Sequence, residues 1–199
     1  MDAIIDKKKI PLSLLGELNE TDLTNASDTD LRDALERDGY LFLRNIINPK
    51  EIEIARNDIF KRLKDVDELK EPYEDGIASG DSSRDKINND RGHFWEKVSL
   101  SKPLREVTNG KNLENIFSKI FGTPSTGFDF IFLRAVAGGK FTHMHCDAGF
   151  FTRLTQKILT CWLVFTEITL DKGPLFVIEG SHKFKAIQEK YIGFDVNID

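Results

Sequence analysis

Up to about residue 122 the apolar positions recur at spacings of three and four, and beyond residue 127 they alternate or run together between Gly- and Pro-bearing turns. Leu31, Ala34 and Leu35 share one face of a helix expected from about Asp30 to Asp38, with Ser27 or Asp28 as its cap and Asp38-Gly39 as its stop. Tyr40 to Arg44 reads as a strand. Asn48-Pro49-Lys50-Glu51 is a helix start, with Asn as the cap, Pro at the first helical position and Glu placed to return the capping bond. That helix runs to about Lys64 and buries Ile52, Ala55, Ile59 and Leu63. Two more helical pieces are expected, Pro103 to about Val107 and Leu113 to about Phe121. In the second, Leu113, Ile116, Phe117 and Ile120 form a stripe that Gly122 ends.

Residues 71–92 break any period and hold few large apolar groups, which suggests a mobile loop, either a plain one or one that closes over a site. His93-Phe94-Trp95 after it could line a pocket, with packing as the default. Strands are expected over Phe128–Val136, Phe141–His145, Ile158–Thr166 and Leu175–Ile178. Helices followed by consecutive strands define an α+β domain, a helical layer outside an antiparallel sheet or barrel. The expected organisation is an arm at 1–27 and one domain at 28–199, mainly helical over 28–122 and β-rich over 127–199.

Composition narrows the class. At 199 residues, 40% hydrophobic and 31% charged, the chain can bury a core and does not read as disordered. The net charge of −5 comes from mixed signs, which argues against a nucleic-acid footprint. Lys7-Lys8-Lys9 belongs to a solvated arm. No apolar run reaches a membrane-spanning length and no signal peptide is apparent. Cys146 and Cys161 have neither zinc nor disulfide spacing and read as small buried thiols, which fits a reducing cytoplasm.

The candidate chemistry lies in Thr142-His143-Met144-His145-Cys146-Asp147. Residues two apart on a strand point the same way, so His145 and Asp147 can offer one imidazole nitrogen and one carboxylate oxygen to one metal ion. Those are two of the three ligands in the two-histidine, one-carboxylate set that holds non-haem Fe(II). His-x-Asp alone is a weak signal, and an Asp hydrogen-bonded to a neighbouring imidazole is the plain alternative.

The combination is more specific. Asp38-Gly39-Tyr40 before a strand, His145-x-Asp147, Trp162 within a strand, and Gly173-Pro174-Leu175-Phe176-Val177-Ile178-Glu179-Gly180-Ser181-His182-Lys183 resemble the phytanoyl-CoA dioxygenase family. The resemblance is loose over 28–64 and close over 128–183. It implies a double-stranded β-helix (jelly-roll) core, incomplete here, in an enzyme that uses Fe(II) with 2-oxoglutarate and O2 to hydroxylate a small organic substrate while 2-oxoglutarate is decarboxylated to succinate. Carried over by position, His145 and Asp147 are iron ligands, Trp162 and Thr142 are cofactor-binding, and Gly180-Ser181-His182-Lys183 is a structural loop. Related halogenases carry a small residue in place of the carboxylate, so Asp147 favours hydroxylation.

The family's second ligating histidine and the Arg for the far carboxylate of 2-oxoglutarate lie well downstream of Gly-Ser-His-Lys, whereas the 16 residues after Lys183 contain neither type. Three expectations follow. The sequence is the N-terminal part of a longer enzyme, His143 or His182 substitutes as third ligand, or the chain has lost catalysis and serves as a metal-free binding or structural protein. A cupin reading of His143-x-His145 fails because Gly149, Phe150, Phe151 and Thr152 stand where its Glu is needed. Substrate and oligomeric state are not readable from the sequence.

Overall fold

The computed structural model describes residues 2–87, 91–133, 141–151, 155 and 157–191. The chain opens with an antiparallel hairpin, β1 (Asp2–Ile5) and β2 (Lys8–Pro11), in which Ile5 faces Lys8. Asp6 and Lys7 make the turn with φ of 49° and 66°, the two-residue turn whose twist matches that of its strands. Within residues read from sequence as an arm, the hairpin is therefore ordered structure, and Lys7, Lys8 and Lys9 are exposed on it.

Eight helices follow among the described residues: α1 (Asp28–Asp38), α2 (Pro49–Lys64), α3 (Arg84–Ile87), α4 (Arg91–Ser99), α5 (Lys102–Thr108), α6 (Lys111–Phe121), α7 (Ala148–Phe151) and α8 (Lys185–Tyr191). The expected caps form. The Ser27 hydroxyl accepts from the Asp30 amide while the Asp30 carboxylate returns a bond to Ser27, a complete capping box. Asn48 caps α2 by accepting from the Lys50 amide, with Pro49 in the first turn. Gly39 and Gly122 end α1 and α6 in left-handed conformation, as their lack of Cβ permits.

The chain divides into two compact units. The first contains residues 1–44, 141–162 and 174–199, and so holds the hairpin, α1, α7 and α8. The second contains residues 45–140 and 163–173. Its core is Ile59, Leu63, Val66, Leu69, Phe94, Val98 and Leu104, with Phe60, Tyr73, Trp95, Ile131, Leu133 and Phe165 packed against it. Helix α2 places Ile59 and Leu63 there at i, i+4 spacing and packs on α5. Ser99 and Arg105 tie the 128–131 segment to this core: Ser99 Oγ donates to the Ile131 carbonyl at 3.0 Å, and an Arg105 guanidinium nitrogen to the Phe128 carbonyl at 2.9 Å.

The expected strands need correction, while Phe94 and Trp95 take the packing role that is their default. The described part of the loop expected at 71–92 is folded back on residues 66–70: Lys70 donates to Ile77, Ser79 to Glu68 and Ser83 to Val66. Satisfying backbone groups this way requires no apolar period, so the sequence pattern missed it. Phe94 and Trp95 flank the Arg84 guanidinium at 4.3 and 4.1 Å from their ring centroids, and Glu68 pairs with that arginine, so these aromatics pack rather than line a pocket. The His93 side chain and residues 88–90 lie outside the described residues.

The strands expected at 40–44, 128–133, 141–145, 158–166 and 175–178 carry no ladder among the described residues, and Phe42 makes a single bridge to Glu20. Residues 134–136 of the expected second strand are not described. Alternation marks two faces on a segment, but a ladder needs a partner at the right register, which is a non-local property. The described structure is thus mixed helix with one small sheet, and no jelly-roll barrel is formed in it. Both cysteines are free: Cys146 is half-buried, and Cys161 is exposed as a residue although burial of its thiol pushes that group up. None of the described helices is long and apolar enough to cross a membrane.

Candidate metal centre

His145 and Asp147 stand just before α7, where the Phe150 amide donates to the Asp147 carbonyl at 3.0 Å and turns the backbone into the helix. The structure brings the two side chains together without a strand: His145 Nε2 lies 3.2 Å from Asp147 Oδ1. The other imidazole nitrogen, Nδ1, is 2.7 Å from the backbone carbonyl of His143. A carbonyl can only accept, so Nδ1 carries the proton, and in the neutral ring Nε2 presents a lone pair. Asp147 Oδ1, 3.2 Å away, is also an acceptor. Two acceptors this close favour a positive charge near them, either a second proton on the imidazole or a cation.

The spacing suits a cation. Two donor atoms each about 2.1 Å from an ion and at right angles to one another are about 3.0 Å apart. The outer contacts suit it as well. Asp147 Oδ2 accepts from Thr160 Oγ1 at 2.7 Å, so both side chains are held by a neighbour on the side away from their facing atoms. Ligating imidazoles and carboxylates are ordinarily held this way, which fixes the tautomer and the ring plane. The side chains are 50% and 39% exposed, open enough for an ion to reach them from water. The residues present therefore fit two positions of an Fe(II) site. No group of three His, Cys, Asp or Glu residues able to hold a metal is found among the described residues.

The remaining sequence-predicted residues are placed as follows. Thr142 is exposed and directly precedes His143. Trp162 is half exposed, two residues beyond Thr160. His143 turns its Nδ1 to the Asp6 carboxylate at the hairpin tip, and Phe141 stands edge-on to its ring at 4.9 Å. Asp6 is held below the usual carboxylate range, chiefly by the hydrogen bond from His143. His182 lies in a one-turn helix at Ser181–Lys183, and its Nε2 reaches the Glu36 carbonyl in the last turn of α1 at 3.1 Å. Lys183 Nζ donates to the Arg37 carbonyl beside it at 3.1 Å. Gly-Ser-His-Lys thus caps the C-terminus of α1.

Sequence reasoning missed Thr160 and Asp6. Thr160 shares strand parity with Trp162, but nothing in the sequence says what that face meets. Asp6 is 137 positions from His143, and no local signal links them.

The chain thus places an imidazole and a carboxylate side by side, each held from behind by a neighbour. The chain belongs to the phytanoyl-CoA dioxygenase (PhyH) family, whose model matches residues 35–196. It is 27% identical over 190 residues to the phytanoyl-CoA dioxygenase domain-containing protein 1 homolog of Caenorhabditis elegans, an alignment that covers 77% of this chain. The namesake protein of Caenorhabditis briggsae is 26% identical over 190 residues and 78% of this chain. The chain spans 65% of the length of these two relatives. No solved structure matches it.

Proposed function

We propose that this polypeptide is an Fe(II)- and 2-oxoglutarate-dependent dioxygenase that hydroxylates a small organic substrate. The observation that carries the reading is the His145–Asp147 pair, two acceptor atoms 3.2 Å apart whose other atoms are tied by His143 and Thr160, in a chain of the phytanoyl-CoA dioxygenase family. His145 and Asp147 would hold the iron. When bound, the iron with 2-oxoglutarate supplies oxidative decarboxylation and oxygen transfer, chemistry that no side chain provides. This chain's residues orient: the His143 carbonyl keeps the His145 proton on Nδ1, and Thr160 holds Asp147 Oδ2 while Oδ1 lies 3.2 Å from the imidazole. Trp162 and Thr142 are assigned to the co-substrate.

In this reading the alternating segments read from the sequence would pair as strands of a double-stranded β-helix in the working enzyme, and the protein works in the cytoplasm on a small molecule and O2. His143 is engaged by Asp6 and His182 by α1, so neither is the first choice for a third ligand. The competing reading is a family member without catalysis. It is favoured by the absence, among the described residues, of a third ligand beside the pair.

The experiment is an anaerobic titration of the chain with Fe(II) and then 2-oxoglutarate, following the visible charge-transfer band of the chelate. A saturable band that disappears in Asp147→Ala supports the dioxygenase. A folded chain that gives no band, or an Asp147→Ala variant that keeps it, overturns the assignment.

A further inference from the structure

The N-terminal hairpin has two unlike faces. Paired residues of adjacent strands share a face, so Ala3, Ile5 and Ile10 lie on one side of the ladder and Ile4 and Lys9 on the other. Ala3, Ile5 and Ile10 are half-buried, whereas Ile4 is 74% exposed and its partner Lys9 is exposed with it. Lys7 in the turn and Lys8 are exposed too. Beyond Pro11 the chain enters a one-turn helix at Leu12–Leu14, and Leu12, Leu14 and Leu15 all face solvent, Leu14 at 73%. Between Asp2 and Glu17 the charged side chains are three lysines and one acid, Asp6, which is turned to His143. A basic and aliphatic stretch thus stands out from a chain of net charge −5.

Composition discriminates between the partners such a face could take. Protein interfaces are enriched in aromatic residues and Arg and depleted in Lys, and Leu is under-represented among their energetic anchors. Lysines beside exposed aliphatic side chains suit an anionic lipid surface instead: the ammonium groups meet the headgroups and the aliphatic groups enter the acyl boundary. We propose that the outer face of the hairpin and the turn after it, with Ile4, Lys7, Lys9, Leu12 and Leu14 as the contacts, is a docking site for an anionic phospholipid surface. The contact is peripheral and independent of the dioxygenase reading. It suits a protein of the cytoplasm, since the cytoplasmic leaflet is the anionic one. Through the Asp6–His143 contact the hairpin is joined to the segment that carries His145 and Asp147, so docking brings that segment to the lipid.

The test is co-sedimentation of the full chain with vesicles of phosphatidylcholine alone or of equal parts phosphatidylcholine and phosphatidylserine. Wild type should bind the mixed vesicles, bind the neutral ones far more weakly, and be released by added salt, which screens the lipid charge. The double variant Lys7→Gln, Lys9→Gln should lose about 25-fold in partitioning to the mixed vesicles, about fivefold for each lysine. The double variant Leu12→Ser, Leu14→Ser should also lose binding, at unchanged charge. All four side chains are exposed, so the substitutions remove no buried contact. The proposal is overturned if wild type does not prefer the mixed vesicles, or if either variant binds them as wild type does. Light scattering tests the other occupant: a wild-type dimer that becomes monomeric in Leu12→Ser, Leu14→Ser would assign the face to a second copy of the chain and overturn the lipid assignment.

Discussion

Replacing Gly39 by Ala tests how two distant motifs meet. Gly39 ends α1 with φ +79°, and a Cβ built there would fall 2.5 Å from His182 Cγ and 2.8 Å from Cε1, closer than carbon atoms can approach. Left-handed backbone costs an L-residue with a Cβ about 1–2 kcal/mol. The ring must also move, which forfeits the His182–Glu36 bond, worth about 1 kcal/mol net. The expected loss is therefore about 2–3 kcal/mol, or a drop of about 1–2 M in the urea midpoint for an m-value typical of a small protein. His182→Ala alone should cost about 1 kcal/mol. The double variant should cost little more than Gly39→Ala, because both changes remove the same ring contact. That coupling of about 1 kcal/mol is the signature of the meeting, since independent sites add to within about 0.5 kcal/mol. Urea unfolding of the four chains measures it. A Gly39→Ala cost below about 1 kcal/mol, or strict additivity, would show that Gly39 does not face His182.

Two further outcomes are expected. Thr160→Val removes the hydroxyl that holds Asp147 Oδ2 while keeping the shape, so Co(II) affinity should drop by about tenfold with the fold intact; unchanged affinity in calorimetry would remove Thr160 from the site. Asp30 is held below its ordinary 3.8 by the Ser27 hydroxyl and then the Ser27 amide, so its stabilisation is complete above that value and is lost as pH falls through the lower folded value. Wild type should accordingly be more stable than Asp30→Asn near neutrality, and the gap should narrow as pH falls below 3.8; a gap that stays constant through that descent, read from thermal unfolding, refutes the capping box.

Much of the helical half was legible because its determinants are local. Ser27, Asn48-Pro49 and the glycines at 39 and 122 act within one turn of where they stand, and Leu31, Ala34, Ala55, Ile59 and Leu63 declare their buried face by spacing. The strand half was legible only as propensity. Phe128, Phe130 and Phe132 alternate as a strand should and are exposed, because alternation does not name the neighbour that would cover them.

The site divides along the same line. His145 and Asp147 could be paired from the sequence, since two residues apart is close in any backbone conformation. What holds them could not. Asp6, Thr160 and the seat of His182 on α1 join positions 137, 13 and 146 residues apart, and only folding selects such partners. Local rules determined the helices, their ends and the two facing acceptor atoms. Tertiary structure alone decided which hydroxyl fixes the carboxylate and where the hairpin tip rests. Those contacts depend on the path of the chain between them, and no pattern of neighbouring residues encodes that path.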